Sequence, residues 1–452
     1  MKINRRAVAA GGKKMLFSLR RAFHICDIKP GQKPGHRLRT AELQMMVEPQ
    51  AEWAQMFNDI WRKYRDMFYD PGMHGLDWAG LRRQYGDLLK DAVTRWDANF
   101  VFGELIGEVN ASHTYVGGGE LEESLRGNVG LLGIDWALEN GAYRVSRMIQ
   151  GAPWESEMRS PLAQSGVDVK TGDCILAVNG VRIEADKEPW AAFQGLAGKI
   201  VSLTVNDRPS FDGARQVLVE TMGSETALRQ AEWVEKNRLR VAQATQGKVG
   251  YVYMQDTSLG GQNDLVRQFY GQLDKDGFII DERFNSGGAL ADRFIELINR
   301  PRVHYIAWRT GRPSPQPQQV NAGPKVMLIN GWSGSGGDAL PYTFKGQNVG
   351  PVIGMRTWGG LIGPASGHQL VDGGFHTVPE GRIYGNDGAW FAEGHGVDPD
   401  IEIIDDPAQL AKGVDPQLER GIEEIEKLLK LKPAAAVPKP AYENRTSKAV
   451  KK

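Results

Sequence analysis

Cysteine is nearly missing from this 452-residue chain: only Cys26 and Cys174 occur, far apart and in unlike surroundings. That excludes a disulfide framework and fits a reducing compartment. Net charge is missing as well, with 55 basic residues against 55 acidic ones. The chain therefore lacks the electropositive footprint of a nucleic-acid binder, and no DNA or RNA partner is expected. No run of about 18 apolar residues occurs, and the basic start "MKINRRAVAAGGKKMLF" has no continuous apolar stretch of the kind a signal peptide carries. A soluble, cytoplasmic protein without a membrane partner is the expectation. There is no H-E-x-x-H and no cysteine cluster, so neither a metal site nor another cofactor is expected.

What is present is a 41% hydrophobic composition on a chain long enough for roughly three domains of ~150 residues. The runs "KMLFSL" and "AFHICDI" read as strands, which as a pair are too few for a stable sheet. From Gln50 onward, Trp53, Phe57, Ile60, Trp61, Tyr64 and Phe68 recur at three- and four-residue steps, the apolar face of an amphipathic helix. "LDWAGLRRQYGDLLKDA" and "NFVFGELIGEV" continue in helical pattern, and the glycine-rich "NASHTYVGGGE" closes that region. Between Asn128 and Glu220 lies a β-rich module with a short helix in "SPLAQSGV" and a hairpin turning at Asn179-Gly180. "ETALRQAEWVEKNRLRVAQAT" is a charged helix read as a linker. Strand and helix patterns then alternate, which predicts an α/β layer on a mostly parallel sheet. The proline-, alanine- and lysine-rich end is expected to be disordered.

Chemistry concentrates in "NGWSGSGGDALPYTFK", Asn330 to Lys345, a glycine turn between a strand and a helix. Such a turn exposes a serine hydroxyl and aims helix N-terminal amides at a developing oxyanion. Ser335, followed by Gly336 and Gly337, fits this better than Ser333, which lies nearer the strand end. A second turn, "DERFNSGG", ends the preceding strand, where α/β sheets gather ligand contacts, and the Gly287 or Gly288 amide suits the same carbonyl. Lys345 is ten residues past Ser335, about 15 Å along a helix, too far to serve as its base. His113, beside Ser112, and His395, close to Glu393, are the histidine candidates; spacing does not choose between them.

The motifs "VEPQAEWAQMFNDIWRKYRDMFYDPGMHGLDW", "GELIGEVNASHTY", "RSPLAQSGVDVKTGDCILAVNG", "DERFNSGG", "NGWSGSGGDALPYTFK", "RTWGG" and "EGHGVDPDIEI" together resemble the C-terminal half of the tricorn protease family, cytoplasmic serine peptidases related to the C-terminal processing peptidases. The resemblance runs in order from about Ala41 to about Lys430. It implies an α/β multidomain chain. Residues 1–40 would be a remnant of the last β-propeller blade and 41–127 a helical region carrying Ser112 and His113. Residues 128–221 would form an inserted PDZ-like domain, 222–430 a crotonase/ClpP-like peptidase domain carrying Ser335 and Glu393, and 431–452 a disordered tail. It further implies a serine peptidase acting on peptides or oligopeptides, with Ser335 as nucleophile, His113 as general base and acid, and Ser112 and Glu393 orienting His113. Gly288 and Gly336 would supply the oxyanion amides. "GNVGLLGID" is the candidate peptide-capture loop of the PDZ-like module, although in a protease that module is better suited to shaping substrate access or domain packing. Family members that prefer basic P1 side chains have a carboxylate just before a G-R-P stretch; "VHYIAWRTGRP" has none, so Ile306 and Trp308 suggest an apolar P1. By family resemblance a homo-hexamer is possible. The alternative is a catalytically inactive peptide-binding PDZ protein derived from a truncated tricorn-like protease.

Overall fold

The structure is a computed structural model and describes residues 6–9, 11–19, 22–31, 33, 35–40, 43–123, 127–152, 158–363, 365–431 and 437–443. The strands β1 (Arg6–Val8), β2 (Lys14–Leu19), β3 (Ala22–Asp27) and β4 (His36–Arg37) form an antiparallel sheet in chain order. The two expected strands thus gain a short neighbour on each side.

Three helices follow: α1 (Pro49–Met67), α2 (Trp78–Leu88) and α3 (Arg95–Gly107). Trp53, Phe57, Ile60, Trp61 and Tyr64 all turn inward on α1. Asp77 caps α2 by accepting from the Gly80 N–H (2.8 Å), and Thr94 with Asp97 forms a capping box on α3. The core of these helices also takes in Leu370 and Val378 from far along the chain. A short strand, β5 (Val116–Gly117), comes just after His113.

The next six strands are β6 (Ile134–Glu139), β7 (Ala142–Met148), β8 (Cys174–Val178), β9 (Val181–Arg182), β10 (Ile200–Asn206) and β11 (Arg215–Glu220). They pair antiparallel in the order β11-β10-β8-β7-β6, with β9 hanging on β8 through a turn in which Asn179 and Gly180 are both left-handed (φ 49° and 80°), as a two-residue hairpin requires. The short helix in "SPLAQSGV" is a single 3-10 turn, Pro161–Ala163. Cys174 is buried in this module; it and Cys26 are free thiols.

The segment expected to capture a peptide end is otherwise engaged. Its Gly130 and Leu131 N–H groups donate to the Phe193 and Met222 carbonyls (2.9 and 2.8 Å), and the Gly133 N–H donates to the Glu225 carboxylate (2.7 Å). Nor is the charged helix α4 (Thr226–Ala244) a free linker. It buries Leu228 and Val241, while Arg229 and Arg147 tie Glu225 and Glu232 to Asp135 of β6. Charge on a helix face reads as solvated from sequence, but here opposite charges on β6 and β7 pair with it.

After α4 come β12 (Val249–Tyr253), α5 (Leu259–Tyr270), β13 (Gly277–Asp281), α6 (Ala291–Ile298), the hairpin β14 (His304–Ile306) and β15 (Ser314–Gln316), β16 (Lys325–Ile329), α7 (Gly336–Gly346) and β17 (Val352–Gly354). Then follow β18 (Ala365–Gln369), β19 (Phe375–Pro379), β20 (Ile401–Glu402), α8 (Pro407–Leu410) and α9 (Pro416–Leu431). A five-stranded sheet, β12-β13-β16-β17-β20, is parallel throughout. Ile280, Met327 and Ile329 face a core shared with α5, α6 and α7, whereas Ile279, Val326 and Leu328 face one shared with α4 and α9. Burial on both faces explains why these strands read as continuous apolar runs.

The remaining sheet is β18-β19-β5. It stitches the helical region to the peptide segment that follows α7: Phe375 pairs with Gly117, His376 with Val116, and the Tyr64 hydroxyl of α1 donates to the Thr377 carbonyl (2.8 Å). A buried Arg95–Asp372 ion pair (2.7 Å) adds a second tie. The tail expected to be disordered falls largely outside the described residues, and its described part, 437–443, carries no helix or strand. Among the described residues no helix is long and apolar enough to cross a membrane.

Candidate active site

β16 delivers the chain to the sheet's C-terminal end, and Asn330 there turns it. The Asn330 side-chain carbonyl accepts the Phe284 and Trp332 N–H groups (3.0 and 3.2 Å). Ser333 is fully buried and donates to the Glu282 carbonyl (2.9 Å), so its hydroxyl is a fastening between two strand ends. Ser335 instead stands at the N-cap of α7 with φ 57° and ψ −114°, a conformation that L-residues avoid unless neighbours hold them in it.

The holding group is Asp338. Its carboxylate accepts four donors: the Ser335 N–H (2.7 Å), the Thr357 hydroxyl (2.5 Å), and the Gly359 and Gly360 N–H groups (2.8 and 3.1 Å). Burial pushes the Asp338 pKa above the usual carboxylate value, and these four donors oppose that push. The residue clamps the Ser335 turn to the "RTWGG" segment.

Beside Ser335 the two glycine turns meet. Gly288 has φ 139°, and a Cβ there would lie 2.4 Å from the Thr257 carbonyl carbon. A Cβ on Gly336 would lie 2.0 Å from Thr257 Oγ1, 2.4 Å from the Gly288 oxygen and 2.7 Å from the Gly288 nitrogen. Only glycine fits at either place, and the two backbones are side by side. Among the described residues neither the Gly288 nor the Gly336 N–H has an acceptor. For Gly336 this follows from its place as the first residue of α7, where helix amides have no intrahelical partner.

His113 reaches this spot from 222 residues upstream: its Nε2 lies 3.1 Å from Ser335 Oγ. Its Nδ1 lies 3.1 Å from Ser112 Oγ, which in turn lies 2.8 Å from Glu393 Oε2. The tautomer follows by counting protons. Glu393 is acceptor-only when ionised, so the single Ser112 hydroxyl proton goes to Glu393. Ser112 Oγ is then the acceptor for His113 Nδ1–H, and it also accepts the Ile362 N–H (3.3 Å). The lone pair is left on Nε2, facing the Ser335 hydroxyl. The Ser112 N–H donates to Glu393 Oε1 (2.7 Å), which fixes both carboxylate oxygens. Burial lowers the His113 pKa, with the Glu393 and Asp338 charges pulling the other way, so the ring is neutral and able to accept a proton near neutral pH.

The other residues singled out from sequence have partners outside the Ser335–Glu393 relay. Lys345 pairs with Asp400 (2.8 Å), and His395 is exposed with its Nε2 on Asp398 (2.9 Å). Ile306 and Trp308 sit on and just after β14, exposed, with the Trp308 indole N–H on Ser314 (3.0 Å). No hydrogen bond or ring contact among the described residues joins them to Ser335. Sequence reasoning passed over Asp338, although S-x-x-D is a capping signal. It also passed over Trp358, whose indole lies against Gly334 and Gly360 so closely that a Cβ on either would come within 2.6 or 2.1 Å of it, while 57% of the residue stays exposed. An indole between glycines carries no periodic signal, and only the fold reveals it.

A strained serine at a helix N-terminus, a histidine held through a hydroxyl and a carboxylate, and two amides that lack an acceptor among the described residues make up the kind of arrangement that serine hydrolases use, here on an α/β scaffold. Comparison with known proteins points to a peptidase family. Residues 49–107 match the tricorn protease C1 domain, 130–224 the tricorn protease PDZ domain and 248–403 peptidase family S41. Tricorn protease homolog 1 of Streptomyces coelicolor is 36% identical over 84% of this chain and 36% of its own length. The tricorn protease of Thermoplasma volcanium is 30% identical over 92% of this chain and 40% of its own. A crystal structure of the tricorn protease superposes with a TM-score of 0.86 at 27% identity, covering 94% of this chain and 41% of that one. The chain belongs to the tricorn protease family. It spans about two fifths of the length of these relatives.

Proposed function

We propose that this chain is a serine peptidase that cleaves peptides or oligopeptides through an acyl-enzyme on Ser335. His113 Nε2 takes the Ser335 proton as Oγ attacks the scissile carbonyl, and the resulting imidazolium is stabilised through Ser112 by the Glu393 carboxylate. The tetrahedral oxyanion sits between the Gly288 and Gly336 amides. His113 then hands its proton to the leaving amine, and water repeats the sequence to release the acid. The observation that carries this reading is the continuous hydrogen-bond relay from Ser335 through His113 and Ser112 to Glu393, with 3.1, 3.1 and 2.8 Å steps.

On the same reading, the sheet of β1 to β4 is a remnant of the last blade of a β-propeller, and the α/β layer is of the crotonase/ClpP type. The protein is cytoplasmic, and it assembles as a homo-hexamer. The P1 side chain is apolar, because the stretch from Val303 to Pro313 carries no carboxylate. In this account Ile306 and Trp308 bind it.

The test is hydrolysis of a fluorogenic peptide library by the wild-type chain and by Ser335→Ala. Turnover that disappears in the variant supports the reading. Saturable peptide binding without turnover in either protein overturns it in favour of a peptide-binding PDZ protein.

A further inference from the structure

The His113 ring is oriented through Ser112 and Glu393, whereas its backbone needs a hold of its own. The residue has φ 58°, a left-handed conformation that costs a non-glycine residue roughly 1–2 kcal/mol. Its ring is directed at Ser335 by that backbone twist, so the twist has to be held by something outside the loop. Within the loop there is a Thr114 hydroxyl on the Ala111 carbonyl (3.1 Å) and the Ser112 N–H on Glu393. Neither of these touches the His113 peptide itself.

Thr377 of β19 does. Its hydroxyl donates to the His113 carbonyl (2.5 Å) and accepts the Tyr115 N–H (2.8 Å), so one side chain grips the peptide units on both sides of Thr114. Its own N–H donates to the Tyr115 carbonyl (2.9 Å), and its carbonyl accepts the buried Tyr64 hydroxyl of α1 (2.8 Å). All three polar groups of Thr377 are therefore engaged, the hydroxyl twice with the loop, the N–H with the residue before β5 and the carbonyl with the helical core. We infer that Thr377 is a positioning residue for the reaction: through the His113 carbonyl it fixes the left-handed backbone that aims Nε2 at Ser335. The inference rests on the catalytic reading above, but the geometry it concerns can be measured without turnover.

A valine has the same shape as threonine and cannot make either hydroxyl bond. In Thr377→Val the His113 carbonyl and the Tyr115 N–H lose their shared partner, and kcat falls by about tenfold, the equivalent of one lost hydrogen bond in a transition state. KM stays unchanged, because the Thr377 hydroxyl is taken up by the His113 carbonyl and the Tyr115 N–H. Thr377→Ser keeps the hydroxyl and restores kcat, which a loss of methyl packing would not allow. The second readout is the ring 15N spectrum of His113, assigned by comparison with His113→Ala. In wild type and Thr377→Ser it shows Nδ1–H with Nε2 unprotonated above neutral pH; in Thr377→Val it shows averaging between tautomers. A Thr377→Val protein with wild-type kcat and a wild-type His113 spectrum overturns the inference. So does a Thr377→Ser protein that is as impaired as the valine variant. If the wild-type protein hydrolyses no peptide while the His113 spectra behave as described, the catalytic reading fails and the positioning inference stands.

Discussion

Ser112→Ala is the perturbation that isolates the least familiar part of the relay. The Ser112 hydroxyl touches no substrate; it joins His113 Nδ1 to Glu393 Oε2 at 3.1 and 2.8 Å. Its removal leaves His113 Nδ1–H without an acceptor at the moment the ring becomes cationic, while Glu393 keeps the Ser112 N–H on its other oxygen (2.7 Å). The ground state loses little, because a neutral imidazole makes only a weak bond there. The transition state loses a charge-assisted bond worth about 1.5–3 kcal/mol, which at about 1.36 kcal/mol per factor of ten lowers kcat by about ten- to 150-fold. KM should not move. The assay is steady-state hydrolysis of a short fluorogenic peptide, with far-UV circular dichroism to show that the variant is folded. Glu393→Gln made alone and in the Ser112→Ala background completes a cycle. Because Glu393 acts through Ser112, the double variant should be close to Ser112→Ala in rate rather than showing the product of the two losses. A folded Ser112→Ala protein with kcat within threefold of wild type would refute the relay.

Gly336→Ala places a methyl 2.4 Å from the Gly288 oxygen and 2.7 Å from its nitrogen, pushing the two amides apart, and should lower kcat by about 10²–10³-fold, the loss of one oxyanion donor; an unchanged kcat in a folded variant removes these amides from the mechanism. Ser333→Ala should keep activity, since that hydroxyl serves only the Glu282 carbonyl (2.9 Å), at a cost of about 1 kcal/mol in thermal or denaturant stability; loss of turnover without loss of stability contradicts the assignment of Ser335. His376 is buried beside His368, with neither ring nitrogen hydrogen-bonded among the described residues, and burial first, then the His368 and Lys63 charges, bring its pKa down to about 4 while Asp59 opposes them. The unfolded chain takes up this proton near pH 6.5 and the folded chain only near 4, so the contribution is complete above about pH 6.5 and is lost as the pH falls toward 4, by about 3 kcal/mol. Denaturant unfolding across that range should show the slope in wild type and a shallower one in His376→Leu; equal slopes refute the role of this histidine.

The helices and the parallel sheet were legible in the sequence because their signals are local. Trp53 to Tyr64 carries the helical period on α1, and "KVGYVYM", "GFIIDER" and "KVMLIN" are apolar throughout because β12, β13 and β16 are buried on both faces. Which of the two serines stands at the N-cap of α7 was legible for the same reason, since it depends on which glycines follow. The choice of histidine was not. His113 and His395 both sit in loops, and what brings His113 to 3.1 Å from Ser335 is the pairing of β5 with β19, a contact between short segments with no pattern of their own. The two short strands are joined because Thr377 and Tyr64 satisfy backbone groups there, which no periodicity records. The charged helix α4 misled for a related reason: partners for Arg229 and Glu232 lie on β6 and β7, and a solvated face and a paired one have the same composition. Three amides of "GNVGLLGID" were not legible as engaged because their acceptors, the Phe193 and Met222 carbonyls and the Glu225 carboxylate, lie some 60 to 90 residues downstream.

The account stands on the nucleophilicity of one serine, and that can be measured directly by treating the purified chain with a peptidyl phosphonate and mapping the adduct by mass spectrometry. The account predicts a single adduct on Ser335, formed at least tenfold more slowly in His113→Ala, which removes the base, and absent in Ser335→Ala. An adduct on any other residue, or labelling of Ser335 at the wild-type rate without His113, would contradict it.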